Sequence, residues 1–297
     1  MREPEHDKWV GTTYGNGWMH RQLIRMLRFI PSSAIYAFAA VFVVPPTMLV
    51  NAGYRKAIYR YFRNALKASP LKAAWLTYRN HCLFSQVVID RFAAYAGKRF
   101  KLDLDGYDSF LRLAESDEGF VQLSSHIGNY EMAGYSLRVH NKRLNALVFA
   151  NEKESVMKNR QKLFDANNIR MIPVQADMSH LFAIDAAISG GEIVSMPADR
   201  IFGSQKSFSC DFFGKPANFP QGPFVVAAAR NVKMLFVAVM KTRRDTYHVK
   251  IRTLESPEHG TVRQKARVLA DEYCRLLEET VREYPTQWYN FFDFWEK

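Results

Sequence analysis

The chain has 297 residues and a mass of 34.3 kDa, which allows one large α/β domain or two small ones. Hydrophobic residues make up 48% of it and charged residues 24%, a composition that excludes a disordered or fibrous protein. The three cysteines are scattered, which excludes a disulfide scaffold and a cysteine-based zinc cluster, and the net charge of +12 favours an anionic partner.

Most of the positive charge lies in the first third of the chain. No Asp or Glu occurs between Lys8 and Ile89, and the cations of that stretch are Lys8, Arg21, Arg25, Arg28, Arg55, Lys56, Arg60, Arg63, Lys67, Lys72 and Arg79. They alternate with aromatic and aliphatic residues instead of Gly and Ser. This pattern favours an anionic membrane surface, and we expect no nucleic-acid partner.

An uncharged run extends from Phe29 to Tyr54 and is flanked by basic residues at both ends. Its length is nearly sufficient to span a bilayer. We expect Pro45-Pro46 to break a helix in its second half, because proline lacks the amide donor and clashes with the preceding turn. The run therefore predicts a helix that lies in, or dips into, the membrane surface. A transmembrane anchor and a buried core hairpin are the alternatives.

The remaining elements alternate between helices and strands. Residues 17–28 predict an amphipathic helix, and residues 55–96 predict two basic helices broken near Ser69-Pro70. Further helices are predicted at 108–116, 129–139, 155–167, 178–190 and 261–284. Strands are predicted at 102–104, 119–123, 145–150, 169–174, 192–196, 233–240 and 246–252. The sequence thus predicts an α/β fold: a single domain with a mixed, mainly parallel sheet flanked by helices, plus a basic, apolar N-terminal helical region.

Two histidines are each followed five positions later by a carboxylate: His126 by Glu131, and His180 by Asp185. The second pair lies in an apparent helix, where five residues turn the side chains about 140° apart. His126 instead follows an apolar strand, and Gly128 allows a sharp turn before the next helix. We therefore expect Glu131, in the first helical turn, to reach the His126 imidazole.

Such a pair suits general-base chemistry. A neutral His126 can take the proton from a substrate hydroxyl or amine that attacks a thioester. Glu131 would hold the imidazole tautomer and stabilise the imidazolium that forms. The alternative is a structural histidine with a satisfied hydrogen bond. The motifs of serine hydrolases, zinc proteases and P-loop proteins are absent from the sequence, and we expect no metal.

Five sequence blocks resemble the late (lauroyl/myristoyl-type) lipid A biosynthesis acyltransferases, within the His-x4-acid glycerolipid acyltransferases. Residues 124–131 resemble the His-x-Gly-Asn-aromatic-Glu signature, and residues 191–200 resemble the "Gly-Glu, apolar strand, Asp" block. Residues 212–223 resemble the "Phe-Phe-Gly-x-x-Ala … Gly" block. The opening at 9–15 and the Pro-x-Gln-aromatic block at 285–291 also fit. The resemblance covers essentially the whole chain.

The resemblance implies a membrane-associating segment at 1–54 and an acyltransferase domain at 55–297. It implies a donor thioester, acyl carrier protein more than CoA, and no further cofactor. The expected partners are an acidic acyl carrier protein, anionic membrane lipids and a lipid acceptor, such as a lipid A precursor or another lyso-type lipid. The expected location is the cytoplasmic face of the bacterial inner membrane. A non-catalytic membrane-associated lipid-binding or scaffold protein of the same fold is the alternative function.

The resemblance also assigns roles to cationic and acidic residues. Arg170 is the arginine expected to stabilise the thioester oxyanion or hold a phosphate, with Arg160 as the alternative. Asp199 and Arg200 follow a buried strand, where the ends of parallel strands gather active sites, and are expected to bind substrate. The alternative roles are solvated arginines for the first pair and a structural ion pair for the second.

Three uncharged residues complete the predicted site. Asn129 is expected to orient the substrate, although it can equally be a plain turn residue. Phe213 and Gly214 are expected to form a loop that closes the site, with a turn of packed aromatics as the alternative. Two departures from the family pattern leave the acceptor open: the C-terminal block ends in an aromatic run at 289–295 in place of a His-Arg-Arg-like run, and Asp199 lacks a second acidic or amide neighbour.

Overall fold

The computed structural model describes residues 17–137, 141–148, 154–174, 177–201 and 206–295. These residues form two compact units. The first draws on Met1–Lys98, Asn151–Arg160 and Tyr289–Lys297, and the second on Arg99–Ala150 and Gln161–Trp288. Helices that the sequence assigned to the catalytic domain, beyond the predicted boundary at 54/55, thus group with the N-terminal segment.

The first unit is helical. Its helices are α1 (Gly17–Phe29), α2 (Ser32–Phe38), α3 (Val44–Val50), α4 (Ala52–Asn64) and α5 (Pro70–Tyr95), with a π-helical turn at Ala39–Val43 between α2 and α3. The start of α5 at Pro70 follows from the fixed φ of proline and its missing amide donor, both of which suit a first helical position. The amphipathic helix at 17–28 and the break near Ser69-Pro70 are confirmed.

The uncharged run forms a continuous helix from Ser32 to Val50, contrary to the break expected at Pro45-Pro46. The π-helical turn shifts the backbone hydrogen bonds just before the prolines, so that both occupy the first turn of α3, where no amide donor is needed. By length and composition this helix can cross a membrane. Only 17% of it is buried, which argues against the core hairpin.

Polar contacts join this helix to α5. The Tyr36 hydroxyl donates a short hydrogen bond to the carboxyl of Asp90, which is fully buried. The Tyr78 hydroxyl donates to the carbonyl of Ala40 at 3.0 Å. These contacts fix one side of the helix while its other side stays exposed.

The second unit is built on a seven-stranded sheet in the order β1-β9-β8-β2-β5-β3-β4, in which only the β8–β9 pair is antiparallel. The strands are β1 (Lys101–Asp105), β2 (Phe120–Ser124), β3 (Leu144–Val148), β4 (Ile169–Pro173), β5 (Ile193–Pro197), β8 (Met234–Lys241) and β9 (Thr246–Leu254). Every residue of β2 and β8 is buried, as expected for central strands covered on both faces. The predicted mainly parallel α/β fold is confirmed.

Helices connect and cover the strands. They are α6 (Tyr107–Glu115), α7 (Tyr130–Ser136), α8 (Glu154–Asp165), α9 (His180–Ser189), α10 (Gly222–Arg230) and α11 (Val262–Glu283). Thr261 and Gln264 form a reciprocal capping box that fixes the start of α11. The sequence did not predict α10 or the antiparallel hairpin of β6 (Ser207–Phe212) and β7 (Lys215–Pro220).

Candidate active site

His126 and Asp199 come together because β2 and β5 are parallel neighbours. The register pairs Ser124, the last residue of β2, with Pro197, the last residue of β5. His126 and Asp199 each lie two residues beyond these ends. They therefore leave the sheet at the same level and at the carboxyl edge, where active sites of parallel sheets form.

Asp199 binds His126 with both carboxylate oxygens. Oδ1 lies 2.8 Å from Nδ1 of the imidazole, and Oδ2 accepts a 2.7 Å hydrogen bond from the backbone N–H of His126. The His126 side chain keeps 15% of its surface exposed, whereas the Asp199 side chain keeps 2%. When a carboxylate accepts from the Nδ1–H of a neutral imidazole, Nε2 is the unprotonated, basic ring nitrogen.

The charges around this pair keep the Asp199 carboxyl ionised. Burial acts to raise its pKa, but the charge and hydrogen bonds of His126 and the charge of Arg200 outweigh burial, so the pKa lies below its ordinary value. Arg200 is buried beside Asp199, and burial lowers its pKa to about 10 despite the opposing effect of Asp199. Arg200 is thus still a cation at neutral pH. Among the described residues, no group of three His, Cys, Asp or Glu side chains is placed to hold a metal ion.

The turn after His126 fits closely against the end of β8. Gly128 has a φ of +59°, and a Cβ at this position would lie 2.0 Å from the carbonyl oxygen of Val239. The next residue, Asn129, donates its backbone N–H to the same oxygen at 2.7 Å. Only glycine fits this approach, which confirms the sharp turn before α7.

The C-terminal block at 285–288 supports the other side of the turn. The backbone N–H of Gly128 donates to the carbonyl of Gln287 at 2.8 Å, and Ile127 forms an antiparallel bridge with Trp288. Trp288 is fully buried, and its ring lies 5.5 Å from that of Phe212. Blocks far apart in the sequence therefore meet beneath His126.

Residues 129–131 follow the turn in different environments. The side chain of Asn129 is fully buried, and its Nδ2 lies 3.4 Å from the hydroxyl of Tyr247. Tyr130 is 36% exposed, with its ring 5.4 Å from the His126 ring. Glu131 is buried in the first turn of α7. The carboxylate at Nδ1 of His126 is that of Asp199. The expected action of Glu131 on the imidazole stays a prediction.

The two arginines expected at the oxyanion lie on different elements, β4 and α8. Arg170 is exposed near the start of β4, and the register aligns it, through β3 and β5, with Val121 of β2. His126 is five residues further along, about 16 Å at 3.3 Å per residue, and three strands away. Arg160 is buried on α8, within the first unit, where its guanidinium lies 3.4 Å from Sδ of Met157. Arg200 is the arginine that the fold places beside Asp199.

Phe213 and Gly214 form the two-residue turn of the β6–β7 hairpin. Both have positive φ, 58° and 71°, as a type I′ turn requires. The backbone N–H of Phe213 donates to Glu278 of α11 at 2.5 Å, and the guanidinium of Arg282 lies 4.5 Å from the centre of its ring. These contacts pack the hairpin turn against α11. The expected role of Phe213 and Gly214 in closing the site stays a prediction.

A cleft of about 610 Å³ adjoins this hairpin turn. Its described lining residues are Asp211, Gly214, Arg267, Asp271, Arg275, Glu278, Glu279 and Arg282, and they do not include His126 or Asp199. The arginines of α11 form ion pairs along the helix, such as Arg275 with Glu279. The cleft is therefore an ion-paired surface, separate from the candidate active site.

Two residues of the site were recognised in the sequence without their structural roles. Asp199 was placed at a strand end but expected to bind substrate, because strand order, which makes β5 the neighbour of β2, is not visible in a single sequence. Gln287 appeared only as part of a family block. The signal in each case was position in the chain: Asp199 lies just after a buried strand, and Gln287 directly precedes the aromatic residues that begin at Trp288.

The family model for bacterial lipid A biosynthesis acyltransferases matches residues 92–297. The chain belongs to this family. No curated protein matches the chain significantly. The match includes all of the second unit, the His126 turn and the C-terminal block, whereas the uncharged helix lies before it. The predicted family is confirmed. Membership supports the prediction that the protein is an acyltransferase of lipid A biosynthesis.

Proposed function

We propose that this lipid A acyltransferase family member transfers a fatty acyl group from an acyl thioester to a hydroxyl or amine of a membrane lipid, with His126 as general base. The observation that carries the proposal is the pairing of His126 Nδ1 with the buried, ionised carboxylate of Asp199. In the neutral tautomer that this pairing favours, Nε2 is the basic ring nitrogen.

In the proposed mechanism Nε2 of His126 takes the proton from the acceptor as its oxygen or nitrogen attacks the thioester carbon. Asp199 stabilises the imidazolium that forms. The tetrahedral intermediate then expels the thiolate, which receives the proton from His126, so that the base is restored. Arg200 supplies a fixed positive charge beside the pair, suited to a developing oxyanion. Glu131 is proposed as a second catalytic carboxylate, acting from the first turn of α7.

The first unit supports the proposed donor, acceptor and location. Among the described residues of this unit nine cations are exposed, namely Arg21, Arg25, Arg28, Lys56, Arg60, Lys67, Lys72, Arg79 and Lys158. An exposed basic surface attracts both anionic headgroups and an acidic carrier protein. With the apolar helix, it favours acyl carrier protein over CoA as donor, and the cytoplasmic face of the inner membrane as the location. The proposed acceptor is a lipid A precursor or another lyso-type lipid.

The test is a mass-spectrometric comparison of total lipids from cells producing wild type, His126→Ala or His259→Ala. His259 is exposed on a loop and serves as the matched control. We expect a lipid that gains one fatty-acyl mass with wild type and His259→Ala only. Transfer by purified His126→Ala at the wild-type rate would disprove the mechanism. Parallel assays with acyl carrier protein and CoA thioesters identify the donor.

A further inference from the structure

The edge of β8 is open beyond the point where β2 ends. The two strands pair as far as Leu123 and Phe236, and β2 then leaves the sheet into the His126 turn. The residues of β8 that follow are buried, so their outward backbone groups need partners. The first of these groups, the carbonyl of Val239, accepts a hydrogen bond from the backbone N–H of Asn129.

The side chain of Gln287 pairs with the next outward backbone groups of β8, those of Lys241. Its Oε1 accepts from the backbone N–H of Lys241 at 2.8 Å, and its Nε2 donates to the carbonyl of Lys241 at 2.8 Å. The amide thus pairs with both backbone groups of one residue, as a neighbouring strand would. Gln287 and Lys241 are both buried, so water does not compete for these bonds.

The main chain of Gln287 holds the His126 turn at the same time. Its carbonyl accepts from the N–H of Gly128 at 2.8 Å. One residue therefore ties the turn to the end of β8. His126 is held on its other side by Asp199, which follows β5. The position of the imidazole is fixed between these two attachments.

We propose that Gln287 is a positioning residue for His126: its side-chain amide sets the place of the turn from which the base acts. The inference rests on the proposed role of His126. Loss of the amide removes both of its hydrogen bonds with the backbone of Lys241 and weakens the attachment of the segment that holds Gly128. The turn, and with it Nε2, then moves relative to Asp199.

The first test compares Gln287→Leu with Gln221→Leu. Gln221 also donates its amide to a backbone carbonyl, that of Ser207 at 2.7 Å, and serves as the matched control. We expect Gln287→Leu to lower kcat by about tenfold to hundredfold with KM little changed, as displaced catalytic groups do. Gln221→Leu should keep the wild-type kcat. Equal kcat values for Gln287→Leu and wild type, with His126→Ala inactive, would overturn the inference and leave the proposed function intact.

The second test uses Gln287→Glu to separate positioning from simple loss of stability. An ionised carboxylate still accepts from the N–H of Lys241 but repels its carbonyl, whereas a protonated carboxyl donates to it as Gln287 does. We expect the ratio of variant to wild-type kcat to rise about tenfold from about pH 8 to about pH 5.5, because burial raises the pKa of such a carboxyl. A ratio that does not change with pH would contradict the proposal.

A third measurement needs no acyl substrate. Diethyl pyrocarbonate modifies neutral imidazoles, and mass spectrometry of peptides gives the modification rate of His126 alone. We expect this rate to change several-fold in Gln287→Leu while the rate at His259 stays constant. If the His126 rate is unchanged, Gln287 does not position the base, whether or not the protein proves to be an acyltransferase with the proposed mechanism.

Discussion

The turn at His126 and the helix from Ser32 to Val50 both contain residues that disfavour regular structure, yet they are stabilised in opposite ways. Backbone N–H groups of the turn donate hydrogen bonds to the carbonyls of Val239 and Gln287 and to the carboxylate of Asp199. The helix continues through two prolines by a π-helical turn and exposes most of its apolar surface. The turn is thus fixed by the protein around it, whereas the helix presents an exposed apolar surface of the kind that marks a membrane or protein contact.

The largest expected effect concerns Asp199 and Glu131, the two carboxylates proposed to act with His126. Asp199→Asn should lower kcat by about 10³–10⁴-fold, because the amide no longer selects the imidazole tautomer with an unprotonated Nε2. Glu131→Gln should lower kcat by less, about 10–100-fold, because Asp199 already binds Nδ1 of His126. Steady-state kinetics on both variants check this. The reverse order of losses would make Glu131 the orienting acid, as the sequence alone suggested.

The next effect tests how closely the turn fits. Gly128→Ala places a Cβ against the carbonyl of Val239 and should cost about 3 kcal/mol or more of unfolding free energy. Gly214→Ala is the matched control: its φ is also positive, at 71°, but nothing lies within 4 Å of an added Cβ, so it should cost only about 1 kcal/mol. Urea unfolding measures both. Equal losses would show that backbone conformation alone requires Gly128.

The helix is tested by placing a charge on its exposed surface. Val43→Asp should lower membrane partitioning by about 2.5–3.5 kcal/mol, roughly a hundredfold, if the side chain enters the hydrocarbon. Val268→Asp on α11 is the control, because the two valines have similar exposure, 42% and 45%. Flotation with liposomes of anionic lipids gives the bound fractions. Equal binding of Val43→Asp and wild type would remove the helix as the membrane contact.

The smallest effect concerns the attachment of the helix to α5. Tyr36→Phe removes the hydrogen bond to the buried Asp90 and should lower the free energy of unfolding by about 1–2 kcal/mol. Tyr78→Phe removes a hydrogen bond to the neutral carbonyl of Ala40 and should lower the free energy of unfolding by about 0.5–1 kcal/mol. Thermal unfolding in detergent compares them. A larger loss for Tyr78→Phe would mean that Asp90 does not hold the helix.

Local sequence pattern predicted the parallel sheet and the position of His126, because buried strands and a glycine turn are local signals. The partner of His126 was not predictable, since Asp199 reaches it only through the neighbouring positions of β2 and β5. The β6–β7 hairpin was missed because Phe213 occupies a positive φ that usually indicates Gly or Asn. The helix through Pro45-Pro46 was missed because the π-helical turn that accommodates the prolines has no simple sequence signal.

The matched register of β2 and β5 makes the length of two short segments decisive. His126 and Asp199 stand two residues beyond paired strand ends, so an insertion of one residue in either segment would turn a side chain to the opposite face of the sheet. Substitutions at Ser125 or Ala198 would change the packing around the pair, but a single insertion or deletion would separate base from acid. The arrangement tolerates changes of residue type at these positions better than changes of spacing.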